Sequence, residues 1–248
     1  MTEKALVTGG ARRIGRAIAL ALHRAGYAVA IQTNRSVSEA EALREEIARA
    51  GGGAAVVRAD LADHGSVAGL VGRAVEAVGP LSLLVNNAAM FEPDAIGSLD
   101  AGRFDRQFAV NLRAPIFLSE AFAAQAEEGA SIVNILDQRV FKLTPQFVSY
   151  TLAKSALHSA TRMLAQALAP KVRVNAVAPG PTMPSARQDA DDFARQAAAV
   201  PLGHGPTAEE VGAAVVYLAS ARSITGTTLI VDGGQHLAWQ TPDAITKE

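Results

Sequence analysis

The feature that most constrains the fold is a repeat of short, continuously apolar, β-rich runs separated by longer stretches with helical periodicity. The runs are Ala5–Thr8, Tyr27–Thr33, Ala54–Ala59, Leu81–Asn86, Ser131–Leu136, Val172–Val177 and Thr228–Val231. Between them, apolar residues recur three and four apart. In the stretch 14–22, for example, Ile14, Ile18, Ala21 and Leu22 share one helical face. Strands that are apolar at every position need cover on both faces, which a parallel sheet with helices on either side provides. The expectation is an α/β fold with a doubly wound, seven-stranded parallel sheet in three αβα layers, about six helices, and a single domain over residues 1–248. The stretch 179–206 is the richest in proline and polar residues and reads as a mobile lid over approximately 181–206.

Composition narrows the function classes. The chain has 248 residues, 49% of them hydrophobic, and a formal net charge of -1. That is too apolar for disorder, and too balanced for nucleic-acid binding by general electrostatic attraction. Cysteine is absent, which excludes disulfides, thiolate nucleophiles and cysteine-ligated zinc, and suits a reducing, cytoplasmic setting. No apolar run approaches the ~18 residues that a membrane span needs. A strand-like run beginning near Lys4 leaves no room for a signal peptide. His23, His64, His158, His204 and His236 show no ligand spacing, so no metal is expected. Ser149 has no adjacent histidine and is not read as a hydrolase nucleophile.

The first strand runs into Thr8-Gly9-Gly10-Ala11-Arg12-Arg13-Ile14-Gly15 at the start of a helix. Such a turn lets backbone N–H groups approach a pyrophosphate at the helix N-terminus, although an ordinary glycine turn has the same composition. The usual dinucleotide spacing is not met, because Arg13 stands where glycine might. The second strand ends in Gln32-Thr33-Asn34-Arg35-Ser36, with no acid between Gly15 and Glu39 to hold a ribose 2′-hydroxyl. Arg35 and Ser36 instead suit a 2′-phosphate, and Arg12 and Arg13 add positive charge. Ser36 could equally be a helix N-cap beside a solvated arginine.

Three further clusters follow in order: Asn86-Asn87-Ala88, Tyr150-Thr151-Leu152-Ala153-Lys154, and Pro179-Gly180. With the Gly9 loop, they make the whole chain resemble the short-chain dehydrogenase/reductase family. That resemblance implies a Rossmann-type fold and NADP(H) as cofactor. It implies cofactor contacts from Gly9, Arg12, Arg13, Ile14, Asn34, Arg35, Ser36, Asp60, Leu61, Asn87, Ala88, Tyr150, Lys154, Pro179, Gly180 and Thr182. Asp60 would meet the adenine amino group, or else cap the next helix; Thr182 would lie near the nicotinamide amide. Tyr150 and Lys154 lie on one helical face, and a nearby ammonium should lower the phenol pKa towards neutrality. The resemblance gives Lys154 the nicotinamide ribose hydroxyls as well, and Asn111 a water relay behind Lys154. It also implies a homotetramer, with which the apolar residues of Ala156–Leu168 are compatible.

Most of the family has serine 13 residues before the catalytic tyrosine; here that position is Asp137. An ionised carboxylate only accepts hydrogen bonds, and beside a ketone it would repel the developing oxyanion. It suits a substrate with N–H donors. Aspartate at this place, Arg13 in the first loop and Phe91 shortly after Asn86-Asn87-Ala88 resemble the pteridine reductases and dihydromonapterin reductases. The resemblance implies a pterin stacked between the nicotinamide and Phe91, with Arg13, Phe91, Asp137 and Tyr150 as substrate contacts. Ala89 departs from the serine those enzymes carry there. The expectation is an NADPH-dependent reductase of a pterin C=N bond, with Tyr150 as proton donor and Asp137, Lys154 and Asn111 in its catalytic set. A carbonyl or alcohol oxidoreductase of the same family is the first alternative, and a non-catalytic NADPH sensor the second.

Overall fold

Each of the seven apolar runs is a strand. The computed structural model describes residues 2–185 and 187–239; Ala186, inside the expected lid, and the terminal residues 1 and 240–248 of the expected domain lie outside that description. The strands are β1 (Lys4–Val7), β2 (Ala28–Thr33), β3 (Ala54–Arg58), β4 (Leu83–Asn86), β5 (Ala130–Ile135), β6 (Val172–Pro179) and β7 (Thr228–Val231). They form one sheet in the order β3-β2-β1-β4-β5-β6-β7, with every neighbouring pair parallel. This is the Rossmann-type arrangement. The order reverses between β1 and β4, where the following connections depart to opposite faces and leave a crevice at the strands' carboxyl ends. Strand β6 runs two residues further than its apolar pattern suggests, because Pro179 still pairs with Val231 of β7.

The alternation of side chains along each strand builds two cores. Val7, Ile31, Val85 and Val177 point to a layer of helices α1 (Arg13–Arg24), α2 (Val37–Arg49) and α9 (Ala208–Ser220), where they meet Ile18, Leu43 and Val215. Leu6, Leu84, Ile132 and Val174 point to the opposite layer, against Leu70, Leu118 and Phe122. That layer contains α3 (His64–Ala68), α4 (Leu70–Val78), α5 (Ala101–Phe108), α6 (Ala114–Gln125) and α7 (Val148–Leu168), and α8 (Ala190–Ala198) lies in the lid stretch. Nine α-helices among the described residues replace the expected six. Gly69 divides α3 from α4, and a single π turn over Ala109–Arg113 separates α5 from α6. No helix among the described residues is long and apolar enough to cross a membrane.

Two glycines bring the first loop close to its neighbours. Gly9 adopts φ +61, and a Cβ there would lie 2.9 Å from Ala88 Cα. A Cβ on Gly15 would lie 2.1 Å from the Gly9 carbonyl oxygen and 2.6 Å from Asn87 Nδ2. Neither contact can relax without shifting the loop backbone. Gly15→Ala is therefore expected to destabilise the fold by about 1–3 kcal/mol, which denaturant unfolding would measure; wild-type stability would show that helix and loop are not in the contact described.

Candidate active site

The carboxyl ends of β1 and β4 are tied together. Thr8 Oγ1 accepts from the backbone N–H groups of Asn87 (2.9 Å) and Ala88 (3.0 Å). The Asn87 side-chain amide donates to the carbonyls of Thr8 (2.8 Å) and Gly9 (3.2 Å). Buried Gln32 joins the loop to β2 and β3, since its Oε1 accepts from Gly9 N (2.8 Å) and its Nε2 donates to Ala59 O (2.9 Å). The sequence reading passed over Gln32, an amide on an apolar strand with no local pattern to mark it.

A cleft of about 700 Å³ opens beside this tie. The first loop supplies Gly9, Arg12, Arg13 and Ile14 to its wall; the end of β2 supplies Asn34, Arg35 and Ser36; the end of β3 supplies Asp60 and Leu61; and the end of β4 supplies Asn87, Ala88 and Phe91. Arg106 also lines it, and pairs with Asp60 at 3.6 Å. Asp60 is not the helix cap, because Asp63 caps α3 by accepting from Ser66 N. Ser36 stands at the N-cap of α2, yet its hydroxyl makes no cap bond. Among the described residues no partner holds the side chains of Asn34, Arg35 or Ser36. Arg12 pairs with Glu39 across the surface at 3.4 Å.

Arg13 has φ +54, the left-handed conformation that glycine adopts at little cost and that arginine adopts against a penalty of roughly 1–2 kcal/mol. The turn therefore has the backbone of a glycine loop with a guanidinium in it. That guanidinium does not point at a bare phosphate cradle. It donates to the carbonyls of Pro184 (2.7 Å) and Met183 (3.2 Å) in the lid stretch, a partner the sequence did not suggest. A second arginine, Arg187, pairs with Glu92 at 3.2 Å and also donates to the Phe91 carbonyl. Met183, Pro184 and Arg187 thus bond the stretch after β6 to both the first loop and the loop after β4.

Beyond Phe91 lie the candidate catalytic groups. Tyr150, one turn into α7, donates from its hydroxyl to Asp137 Oδ2 at 3.0 Å. Asp137 Oδ1 accepts from Arg139 N at 2.9 Å, which fixes the carboxylate at the end of β5. Lys154 is 1% exposed and donates from Nζ to Ile135 O (2.7 Å), its one acceptor among the described residues. Phe91 meets the Tyr150 ring edge-on, with centroids 4.7 Å apart, and Phe147 covers one Phe91 face in a stack at 4.2 Å. The Arg187 guanidinium lies over the same Phe91 ring, 6.0 Å from its centroid. Arg139 sits over the Phe147 ring at 5.0 Å.

One expectation changes here. Lys154 does not draw the Tyr150 pKa down: burial, and then the negative Asp137, push it well above the ordinary phenol value. Tyr150 is thus held as a protonated phenol, the form needed to give a proton away. Burial also raises the Asp137 carboxyl, against the Arg139 N–H, and lowers Lys154 to about 8, with Asp137 opposing. Asn111 holds Met90 in place, accepting from its N–H (3.0 Å) and donating to its carbonyl (2.8 Å). The Thr182 hydroxyl donates to Gly180 O at 3.0 Å, and Gly180 N donates to Val231 O at 2.9 Å. A Cβ on Gly180 would lie 2.7 Å from Asp232 Cα, so Pro179-Gly180 serves close packing at the end of β6.

The residues fit a dinucleotide cofactor. The first loop at the start of α1, the unpartnered polar side chains at the end of β2, and the Lys154 ammonium are the groups it would engage. Fold and site together define a Rossmann-type oxidoreductase, and the chain belongs to the short-chain dehydrogenase/reductase family. The family profile described as enoyl-(acyl carrier protein) reductase matches residues 9–236. Among solved structures, the chain is similar to FolM alternative dihydrofolate reductase 1 from Brucella canis, complexed with NADP. The two share 53% identity and a TM-score of 0.94, over 97% of this chain and 96% of that one. Among curated proteins, it is 36% identical to pteridine reductase 1 of Leishmania tarentolae, over 94% of this chain and 96% of the relative. It is also 36% identical to L-xylulose reductase of Bos taurus, with the same coverage.

The Lys154 shift has a signed consequence. Between pH 8 and 10.5 the unfolded chain keeps a proton on this amine that the native protein has released, so stability gains from Lys154 as pH rises through that window. The gain is at most about 1.4 kcal/mol per pH unit. Comparing urea unfolding of wild type and Lys154→Met at pH 8 and pH 10 should show a more favourable change for wild type. Parallel changes would mean that Lys154 titrates normally.

Proposed function

We propose that this protein is an NADPH-dependent reductase of pterin-type substrates, the dihydropterin, dihydromonapterin and dihydrofolate class, with Tyr150 as proton donor. The observation that carries the reading is the Tyr150 hydroxyl donating to Asp137 at 3.0 Å beside the Phe91 ring. The bound nicotinamide supplies a hydride to the carbon of a C=N bond. The nitrogen then needs a proton, and Tyr150 holds one in a buried phenol. Asp137 accepts from the N–H groups on the edge of the heterocycle, a role serine fills less strongly because hydrogen bonds to a charged acceptor are about twice as strong. Phe91 stacks on the flat ring where the Arg187 guanidinium that overlies it gives way, a contact worth about 1 kcal/mol beyond the area it buries. Lys154 holds ribose hydroxyls, and Arg35 with Ser36 receives the 2′-phosphate. The lid over 181–206 excludes water from the reacting atoms. The similarity to a dihydrofolate reductase and a pteridine reductase supports the substrate class.

Assembly as a homotetramer in the cytoplasm belongs to the same reading. Phe117 on α6 and Leu152 and Met163 on α7 are exposed apolar residues on the helices that such an assembly would pair. A carbonyl or alcohol oxidoreductase is the second reading, favoured by the similarity to L-xylulose reductase.

Turnover of dihydropterins against a panel of ketones, with NADPH, separates the two readings. Asp137→Ser should lose about 10–100-fold in kcat/KM for a dihydropterin, from one charged hydrogen bond, and lose less for any ketone. Vigorous ketone reduction with no dihydropterin consumption would reject the pterin assignment. Tyr150→Phe should bind NADPH and lose about 10²–10⁴-fold in turnover; unchanged turnover would remove Tyr150 as proton donor.

Cofactor choice is tested at Arg35. Arg35→Asp should weaken NADPH by about tenfold or more, through loss of a charged contact to the 2′-phosphate, and leave NADH nearly unchanged. Equal loss for both, in a fluorescence titration, would place the 2′-phosphate elsewhere.

A further inference from the structure

We propose that Asp94, with Ser149 and Gln107, is a positioning clamp that sets the distance between the stacking ring Phe91 and the proton donor Tyr150. The inference rests on the function proposed above. Phe91 and Tyr150 come from distant parts of the chain, the loop after β4 and the start of α7. Something must fix one against the other, and backbone pairing alone does so at a single isolated bridge, Ala95 with Gln146.

The start of α7 lacks a cap of its own. Its N-cap residue is Phe147, at φ +56 and without a capping side chain. Asp94 caps it from the other loop. Its carboxylate, in a residue 6% exposed, accepts from Ser149 N at 3.2 Å and from the Ser149 hydroxyl. Its backbone carbonyl accepts from Phe147 N at 2.8 Å. A negative group at this helix end is also favoured by the helix dipole. Gln107, fully buried on α5, completes the ring of bonds. Its Nε2 donates to Ser149 Oγ (2.6 Å) and Glu92 O (3.1 Å), and its Oε1 accepts from Glu92 N (3.3 Å).

The clamp therefore grips residue 92, next to Phe91, and residue 149, next to Tyr150. Every one of its polar side chains is buried and satisfied within it, so it forms one rigid unit rather than a set of surface contacts. The parallel Phe91–Phe147 stack lies alongside and holds the same two segments. None of the three clamp residues lines the cleft. They act on substrate only through Phe91 and Tyr150.

The test is a double-mutant cycle between Ser149→Ala and Phe91→Ala, read with NADPH and 7,8-dihydrobiopterin. Ser149→Ala keeps the backbone N–H that Asp94 accepts from, so the helix start remains capped; Asp94→Asn, which keeps an acceptor oxygen, is a second and independent loosening. Each is expected to lower kcat/KM for the dihydropterin by about tenfold or more, as misplacement of reacting groups does, while the NADPH dissociation constant stays within about twofold of wild type in a cofactor cleft the clamp does not line. In a Phe91→Ala background, Ser149→Ala should cost much less, because the ring whose position it controls is gone. Wild-type kcat/KM in both Ser149→Ala and Asp94→Asn overturns the clamp. So does a Ser149→Ala loss that is fully additive with Phe91→Ala, or one matched by equal weakening of NADPH, since either marks a purely structural role. If wild type reduces a carbonyl compound and no dihydropterin, the proposed function fails, and the same cycle on that carbonyl substrate still decides the clamp.

Discussion

The tie between Thr8 and Asn87 is the contact on which the rest of the site depends. A doubly wound sheet leaves a gap where its strand order reverses, because the chain leaves β1 and β4 towards opposite faces. Left to itself, that gap would be a loose meeting of two loops. Here one hydroxyl accepts two backbone N–H groups, and one side-chain amide satisfies two carbonyls of the opposing strand end. Buried polar groups that are satisfied in this way are stiff, since any displacement leaves a donor or acceptor unpaired in a low-dielectric interior. The glycine cradle, the cleft wall and Phe91 all hang from these strand ends.

From that frame, electrostatics divide the labour. The outer end of the cleft carries arginines and unpartnered polar side chains and suits phosphate. Asp137, Tyr150 and Lys154 do not line that cleft; they lie behind Phe91, where Tyr150 and Lys154 are buried and few charges surround them. Burial there keeps the Tyr150 proton in place and weakens the grip of Lys154 on its own. The carboxylate of Asp137 reinforces the first effect and opposes the second. A serine in its place would leave a neutral pocket, in which the tyrosine lacks a negative neighbour and the substrate edge lacks a charged acceptor.

The stretch after β6 joins the first loop to the loop after β4. Arg13 and Arg187 make the two joins, one from the first loop to lid carbonyls and one from the lid to the loop after β4. Both arginines bond backbone carbonyls, and Arg187 also pairs with the Glu92 carboxylate.

The strands, their parallel pairing and the cofactor-facing loops were legible in the sequence because each is written locally. Apolar runs with helical intervals dictate a covered parallel sheet, glycines mark where backbone must pass close to backbone, and the spacing of Asp137, Tyr150 and Lys154 puts them at one strand end and one helix face. The extra length of β6, the division of the helices, the stack of Phe147 on Phe91 and the Asp94–Ser149–Gln107 clamp were not legible. Each joins residues far apart in the chain, with no local pattern to announce the partner. The direction of the Tyr150 shift belongs to the same group. Sequence spacing shows that an ammonium is near a phenol, but burial decides which charge state survives, and burial is a property of the packed structure alone.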